Sequence, residues 1–515
     1  MMKVGILTKI KGYVSGKVLE GIAGVLASDD PAADDKIKRI FQLLSTLSLT
    51  KFHKESFKEI ARMADTGHPF FVLWKRVFRE LSPKAREKLI WNLLVNAMTL
   101  GRIIRDKKEE ELGIHLPFFL VISPTMKCNL RCKGCYAGDY DTSNDLTFEE
   151  IDRIISEAKE LGMYFFTISG GEVFTRKDIF DIWEKHDDAY FNVYTNGTLI
   201  TKEVAQRLAE LGNVAPMISI EGSKETTDTR RGTGVHEKAL KAMDNLREAG
   251  VLFGFSATLT RVSADSLTRD EFIDEMIERG CKVGWFFQYI PTGENPDLSY
   301  MATPEQRAKL HEKVEHWRST RPIFLGDFWN DGRYVDGCMA GGERYLHIIS
   351  NGDVEPCVFV HFAVDNIRGK SLVDVLKSPF FQAIREAQPY CDDNLLAPCI
   401  IIDKPHVLRE IVKKYGAHPT HPGAQKLLDE LAPGLDEYSK NINEIYRKRW
   451  ENYERWLYVR SILFKEDKEY YRKRMEKRWR DMGLDPEEIY RKAKEWSDKI
   501  EDWRGKAATG ASEGD

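Results

Sequence analysis

The 515-residue sequence has no uncharged apolar run of membrane-spanning length, so no transmembrane segment is expected. A secretory leader is not expected either, because Lys3, Lys9 and Lys11 interrupt the first apolar residues. Cysteine is sparse: eight over this length do not make a secreted disulfide scaffold. An excess of one charge is absent too. The net charge of −4 creates no global field toward nucleic acid or an anionic bilayer, and no nucleic-acid partner is expected. What is present is a globular composition, 42% hydrophobic and 31% charged, at a length that favours two to four domains. A reducing cytoplasm is the expected setting.

Seven of the eight cysteines fall into two groups, Cys128, Cys132 and Cys135, then Cys338, Cys357, Cys391 and Cys399. Cys281 stands apart and reads as a small apolar filler. The first group sits on one short loop directly after an apolar run, Leu116 to Ile122, that reads as a buried strand. Thiolates so placed can converge on three irons of an iron–sulfur cluster, leaving a fourth without a ligand from the loop. A structural zinc site would pair two CxxC knuckles, and a thioredoxin-like CxxC has no use for a third cysteine. One strand and one helix later, Ser169-Gly170-Gly171-Glu172 ends a second apolar run. Alone, Gly-Gly is ordinary turn chemistry.

With these two motifs at this separation, the chain resembles the radical S-adenosylmethionine (SAM) superfamily. The resemblance implies that Cys128, Cys132 and Cys135 hold a [4Fe–4S] cluster whose fourth iron is chelated by SAM. It implies that Gly170, Gly171 and Glu172 hold the SAM amino group. Glycines permit close backbone approach, and a carboxylate pairs with an ammonium. One departure is Gly134, where many members carry an aromatic residue before the last cysteine. Tyr136 is then the residue expected beside the adenine. The resemblance further assigns Thr195 and Asn196 of a TNG turn to the site, together with Ser219, Glu221 and Tyr289. Arg231, in Asp228-Thr229-Arg230-Arg231, is expected to meet the SAM carboxylate, in preference to Arg230.

The periodicities set these motifs in an α/β architecture. Residues 1–112 read as a helical N-terminal domain, its first segment one-sided and apolar. That segment either packs on its own domain or lies in a membrane interface with its lysines toward headgroups. From 113 to 319, candidate strands at 116–123, 163–169, 189–195, 214–220, 252–259 and 283–290 alternate with helices at 147–161, 201–211, 235–249 and 268–280. Six βα units fit an open partial (β/α)6 barrel, with active residues at the C-terminal strand ends.

Residues 320–403 hold the second cysteine group in a small α+β extension. A hairpin from Tyr345 to Asp353 turns on Asn351-Gly352. The Cys338–Gly352–Cys357 spacing resembles the opening of the superfamily's SPASM extension, while the few later cysteines are closer to its shortened Twitch form. That implies one auxiliary [4Fe–4S] cluster on Cys338, Cys357, Cys391 and Cys399. Zinc is the chief alternative, and His347, His361 and His406 are substitute ligands to consider, although each is better read as an ordinary core or surface histidine. Residues 404–505 form a charged helical region with interleaved aromatics, better read as a solvated face packing by its rings than as a nucleic-acid surface. Residues 506–515 are expected to be disordered.

The implied chemistry is reductive cleavage of SAM to a 5′-deoxyadenosyl radical and hydrogen abstraction from an unactivated C–H bond. A small flavodoxin- or ferredoxin-type protein is the expected reductant. The expected substrate is hydrophobic, a lipid acyl chain, because the chain also resembles bacterial radical SAM proteins of membrane-spanning lipid formation. The N-terminal helix would then touch the membrane. Maturation of a ribosomal peptide is the alternative substrate reading, and a non-catalytic iron–sulfur scaffold a third.

Overall fold

The computed structural model describes residues 6–28, 30, 32–47, 51–138, 141–293, 295–390, 392–463 and 469–496. Its centre is a parallel sheet of β1 (Phe119–Ile122), β2 (Phe165–Ile168), β3 (Tyr190–Thr195), β4 (Val214–Ser219), β5 (Gly254–Leu259) and β6 (Val283–Gln288). Each strand pairs in parallel with the next, as expected when strands alternate with crossover helices. All six lie where the sequence predicts strands. The predicted helices are also present, as Phe148–Glu160, Lys202–Leu211, Val235–Ala249 and Asp270–Glu278. Thr147 and Glu150 form the expected reciprocal cap on the first of them.

Two features of the sheet were not anticipated. A seventh strand, β7 (Phe324–Asp327), adds in parallel to β6. At the opposite edge, the hairpin of the cysteine-rich extension joins the same sheet. Its first strand β8 (His347–Ile348) pairs in parallel with β1, and β9 (Asp353–Glu355) pairs antiparallel with β8. Two-residue β10 (Phe362–Ala363) pairs outside this sheet, and β11 (Asp365–Asn366) closes the edge beyond β9. The extension is therefore a continuation of the barrel wall.

The strand period of two decides what the barrel encloses. On β4, Ala215 and Met217 pack on the N-terminal helices, while Ser219, two residues on, faces a cavity. On β3, Tyr190 packs on the helices and Asn192 and Tyr194 line the cavity. Helices Ile6–Ala27, Ala33–Leu47, Lys51–Thr66 and Pro69–Glu80 belong to this bundle. A further run, Pro83–Lys88, continues through wide π-helical turns (Leu89–Leu100) into Gly101–Leu112. Ser82 caps it by accepting from the Ala85 N–H. The bundle packs against the N-terminal ends of the strands and leaves the C-terminal ends open. Among the described residues no helix is long and apolar enough to cross a membrane.

In the C-terminal helices several of the interleaved aromatics point inward, while Tyr453 and Tyr470 stay exposed. Tyr446, Trp450, Tyr458 and Trp479 are buried together with Leu395, Leu396 and Ala397 of the extension. Two of the indoles donate to Asp393. A fully buried ion pair clamps the extension to the barrel. Arg307, on helix Pro304–Thr320, donates to both carboxylate oxygens of Asp403 (2.5 and 3.0 Å), and Asp403 also accepts from the Cys399 N–H (3.0 Å). Removing one member of such a pair strands a buried charge. Arg307→Ala should lower stability by ~3–5 kcal/mol in equilibrium urea unfolding, whereas a volume-matched apolar replacement of both residues should cost far less.

Candidate active site at the cysteine loop

Beyond β1 the chain runs Ser123 to Lys127 before the first cysteine. The segment after β2 follows it as though strand pairing continued. The Ser169 N–H donates to the Ile122 carbonyl (3.0 Å), Gly171 to Thr125 (3.0 Å) and Glu172 to Lys127 (2.8 Å). Side chains cannot fit at this approach. A Cβ on Gly171 would lie 2.2 Å from the Lys127 carbonyl oxygen, and one on Gly170, at φ +105°, 2.6 Å from that of Thr125. Tyr136 folds the far end of the loop back onto the same segment. Its hydroxyl is hydrogen-bonded to Ser169 Oγ (2.5 Å) and accepts from the Gly170 N–H (3.3 Å). Burial pushes that hydroxyl up to about 12, so it stays a neutral partner.

Glu172 ties β2 to β3. Its carboxylate accepts from Thr195 Oγ1 (2.8 Å), the Asn196 N–H (2.8 Å) and the Phe174 N–H (3.2 Å). Burial still raises its proton affinity against those bonds. The Asn196 side chain donates to Asn129 (2.9 Å) and approaches Cys128 Sγ at 4.0 Å, while the Leu130 N–H points to the same sulfur (3.5 Å). Gly134, at φ +66°, answers the departure seen in the sequence. A Cβ there would lie 2.5 Å from the Tyr289 ring, which fills the space that an aromatic neighbour of Cys135 would need.

Every residue expected at this site lines one cavity of about 340 Å3, with the exception of Glu221. Glu221 is fully buried behind the wall and holds two arginines. Arg231 donates to it at 2.5 and 2.8 Å, and Arg230 at 2.7 Å. Burial alone would raise its carboxyl, but the two guanidiniums hold it low. What faces the cavity is therefore a pair of aimed cations. Both arginines line it, although the sequence favoured Arg231 alone. Asp228 accepts from the Gly234 and His236 N–H groups, at the start of the next helix.

The three thiols suit an iron–sulfur cluster. They line one wall, and sulfur-directed N–H groups are present. Burial, then the neighbouring Cys132, raises the Cys135 thiol, while Arg230 and Arg231 pull it toward the thiolate a metal requires. In the extension, burial raises the Cys338, Cys357 and Cys399 thiols, Cys338 adds to the rise at the other two, and Cys357 is pushed up to about 12. Tyr345 donates to Cys357 Sγ (3.0 Å) and the Ile401 N–H to Cys399 Sγ (3.4 Å). Cys391 lies outside the described residues. The histidines considered as substitute ligands are placed otherwise. His347 lies between Ser123 Oγ (2.7 Å) and Glu355 (2.7 Å), His361 meets Glu355 (3.3 Å), and His406 is exposed.

Sequence reasoning missed the deeper wall. Ser256 and Thr258 of β5 line the cavity, and strand alternation would have found them. Phe328, Tyr345 and Phe359 also line it, but they arrive from the extension and carried no local signal.

Comparison with known proteins agrees with this geometry. Residues 122–271 match the radical SAM superfamily and residues 338–399 the SPASM iron–sulfur cluster-binding domain. Over 297 residues the chain is 30% identical to the mycofactocin maturase MftC of Mycobacterium tuberculosis, a match spanning 54% of this chain and 75% of that protein. The chain belongs to the radical SAM superfamily. This radical SAM enzyme is also 25% identical over 294 residues to an AdoMet-dependent heme synthase of Methanosarcina barkeri, covering 51% of this chain and 83% of the relative. Streptococcus suis SuiB bound to S-adenosylmethionine superposes with a TM-score of 0.48 at 22% identity, over 56% of this chain and 72% of SuiB. The radical SAM domain binds a [4Fe–4S] cluster with SAM, and the SPASM domain binds auxiliary iron–sulfur.

Because the two glycines set the distance between the cysteine loop and β2, Gly171→Ala should separate them. We expect SAM-dependent deoxyadenosine formation to fall at least tenfold while the far-ultraviolet circular dichroism spectrum is retained.

Proposed function

We propose that this radical SAM enzyme abstracts hydrogen from an uncharged apolar or aromatic group that a peptide inserts into the cavity. The observation that carries this is the division of the cavity wall. Its ionisable acidic and basic side chains, Glu172, Arg131, Arg230 and Arg231, belong to the cysteine loop, the strand end beside it and the arginine pair. The remaining wall is built of rings such as Phe119, Phe165, Trp285 and Phe287, crossed by the neutral polar side chains of Asn192 and Gln288. Rings suit an apolar or aromatic side chain, and amides suit a peptide backbone. A maturase among the relatives supports the peptide.

In this reading Cys128, Cys132 and Cys135 hold the [4Fe–4S] cluster. Gly170, Gly171 and Glu172 receive the SAM amino group, Arg231 with Arg230 its carboxylate, and Tyr289 lies at its adenine. Thr195, Asn196 and Ser219 orient these groups, and Cys338, Cys357, Cys391 and Cys399 hold the auxiliary cluster. When bound, cluster and SAM supply a deoxyadenosyl radical. The protein orients the C–H bond and keeps water out. Lys127, Arg131 and Lys133 are exposed around the exposed Cys128, which suits docking of an acidic flavodoxin or ferredoxin.

A lipid acyl chain is the second reading, motivated by Tyr13, Val14 and Val18, exposed on the first helix beside Lys17. These residues would rest at a membrane surface.

Anaerobically reconstituted protein should carry about two [4Fe–4S] clusters. Cys132→Ala should abolish SAM cleavage. Deoxyadenosine formation should rise with a small precursor peptide and stay at the basal level with membrane lipids or an iron porphyrin. Stimulation by lipids alone would replace the peptide reading. Reduction by flavodoxin should slow steeply with added salt, and Lys127→Glu should slow it at low salt.

A further inference from the structure

We infer that Tyr345 is a positioning residue for the auxiliary site, its hydroxyl raising the reduction potential of the iron–sulfur group that Cys357 helps to hold. This rests on the reading of Cys338, Cys357 and Cys399 as iron ligands.

Tyr345 belongs to two sites at once. Its ring lines the substrate cavity, stacked on Phe119 (5.2 Å between centroids, 18° between planes) with Phe328 at its edge (6.3 Å). Its hydroxyl leaves the cavity and donates to Cys357 Sγ at 3.0 Å. Only 1% of the residue is exposed, so packing fixes the direction of that bond. Reduction adds negative charge to the iron–sulfur group and its sulfurs. A donor locked on one of those sulfurs stabilises the reduced state more than the oxidised one, and so raises the potential. In a water-poor interior that preference is strengthened.

The test is a redox titration, followed by electron paramagnetic resonance, of full-length protein reconstituted anaerobically with iron and sulfide counted. Wild type is compared with Tyr345→Phe and with protein carrying 3,5-difluorotyrosine at position 345, which keeps the shape of the ring and makes its hydroxyl a stronger donor. The auxiliary signal should move to lower potential in Tyr345→Phe and to higher potential in the difluoro protein. The signal that changes on adding SAM should stay in place. Equal auxiliary potentials in all three proteins, at equal iron content, would overturn the role of Tyr345. Should Tyr345→Phe lose auxiliary iron, the difluoro protein decides, and an unmoved potential there overturns the inference. Wild-type protein with iron for one cluster only would instead overturn the ligand reading beneath it.

Discussion

The structure depends on the close contact between the cysteine loop and the end of β2. Three backbone hydrogen bonds, from Ser169, Gly171 and Glu172, continue the β1–β2 pairing into segments that are no longer strands. They require two residues without side chains, because a Cβ at either glycine would fall within 2.6 Å of a carbonyl oxygen. Much of the site is hung from this contact. Tyr136 closes the loop over it, Glu172 carries it across to β3, and Asn196 brings the third strand end to the first cysteine. Thiols and strand ends are thus tied into one hydrogen-bonded unit, which is what an oriented radical reaction demands of its scaffold.

A second constraint comes from the extension. Because β8 lies parallel against β1, the cysteine-rich segment forms part of the barrel wall. A buried chain of polar groups holds the joint. Ser123, at the end of β1, meets His347 of β8, which meets Glu355 of β9, and Glu355 also accepts from His361 and Thr420. Burial alone would raise the Glu355 carboxyl, yet His361 and His347 hold it at about 2, so it remains an acceptor. This joint sits directly behind Gly170, whose missing Cβ would strike Ser123. The same placement brings Phe328, Tyr345 and Phe359 into the cavity and sets the Cys357 thiol one phenol ring away from it.

The buried charges follow a common rule. Glu221 is fully buried beneath two arginines that reach the cavity, and Arg307 with Asp403 is an ion pair taken wholly out of water. Such pairs add little net stability, but their geometry is demanding and fixes the position of whatever they carry. One aims two guanidiniums at the cavity. The other anchors the segment that bears Cys399.

The linear order of residues was enough to establish what depends on near neighbours. Apolar runs and capping pairs placed all six barrel strands and four of the helices between them, since local periodicity and hydrogen bonding fix those elements, but not the short helix Ile179–Lys185 between β2 and β3. The spacing of Cys128, Cys132 and Cys135, with the Gly170-Gly171-Glu172 turn one strand and one helix later, marked the site for a similar reason: both lie on short segments, and their chemistry is legible once the two are read together. Only the folded chain decided the rest. That Glu221 serves Arg230 and Arg231, that β8 pairs with β1 more than two hundred residues away, and that Tyr345 joins the cavity to Cys357 all depend on contacts between distant segments. Such contacts leave no periodic trace in sequence, because packing, unlike propensity, is settled by which surfaces meet.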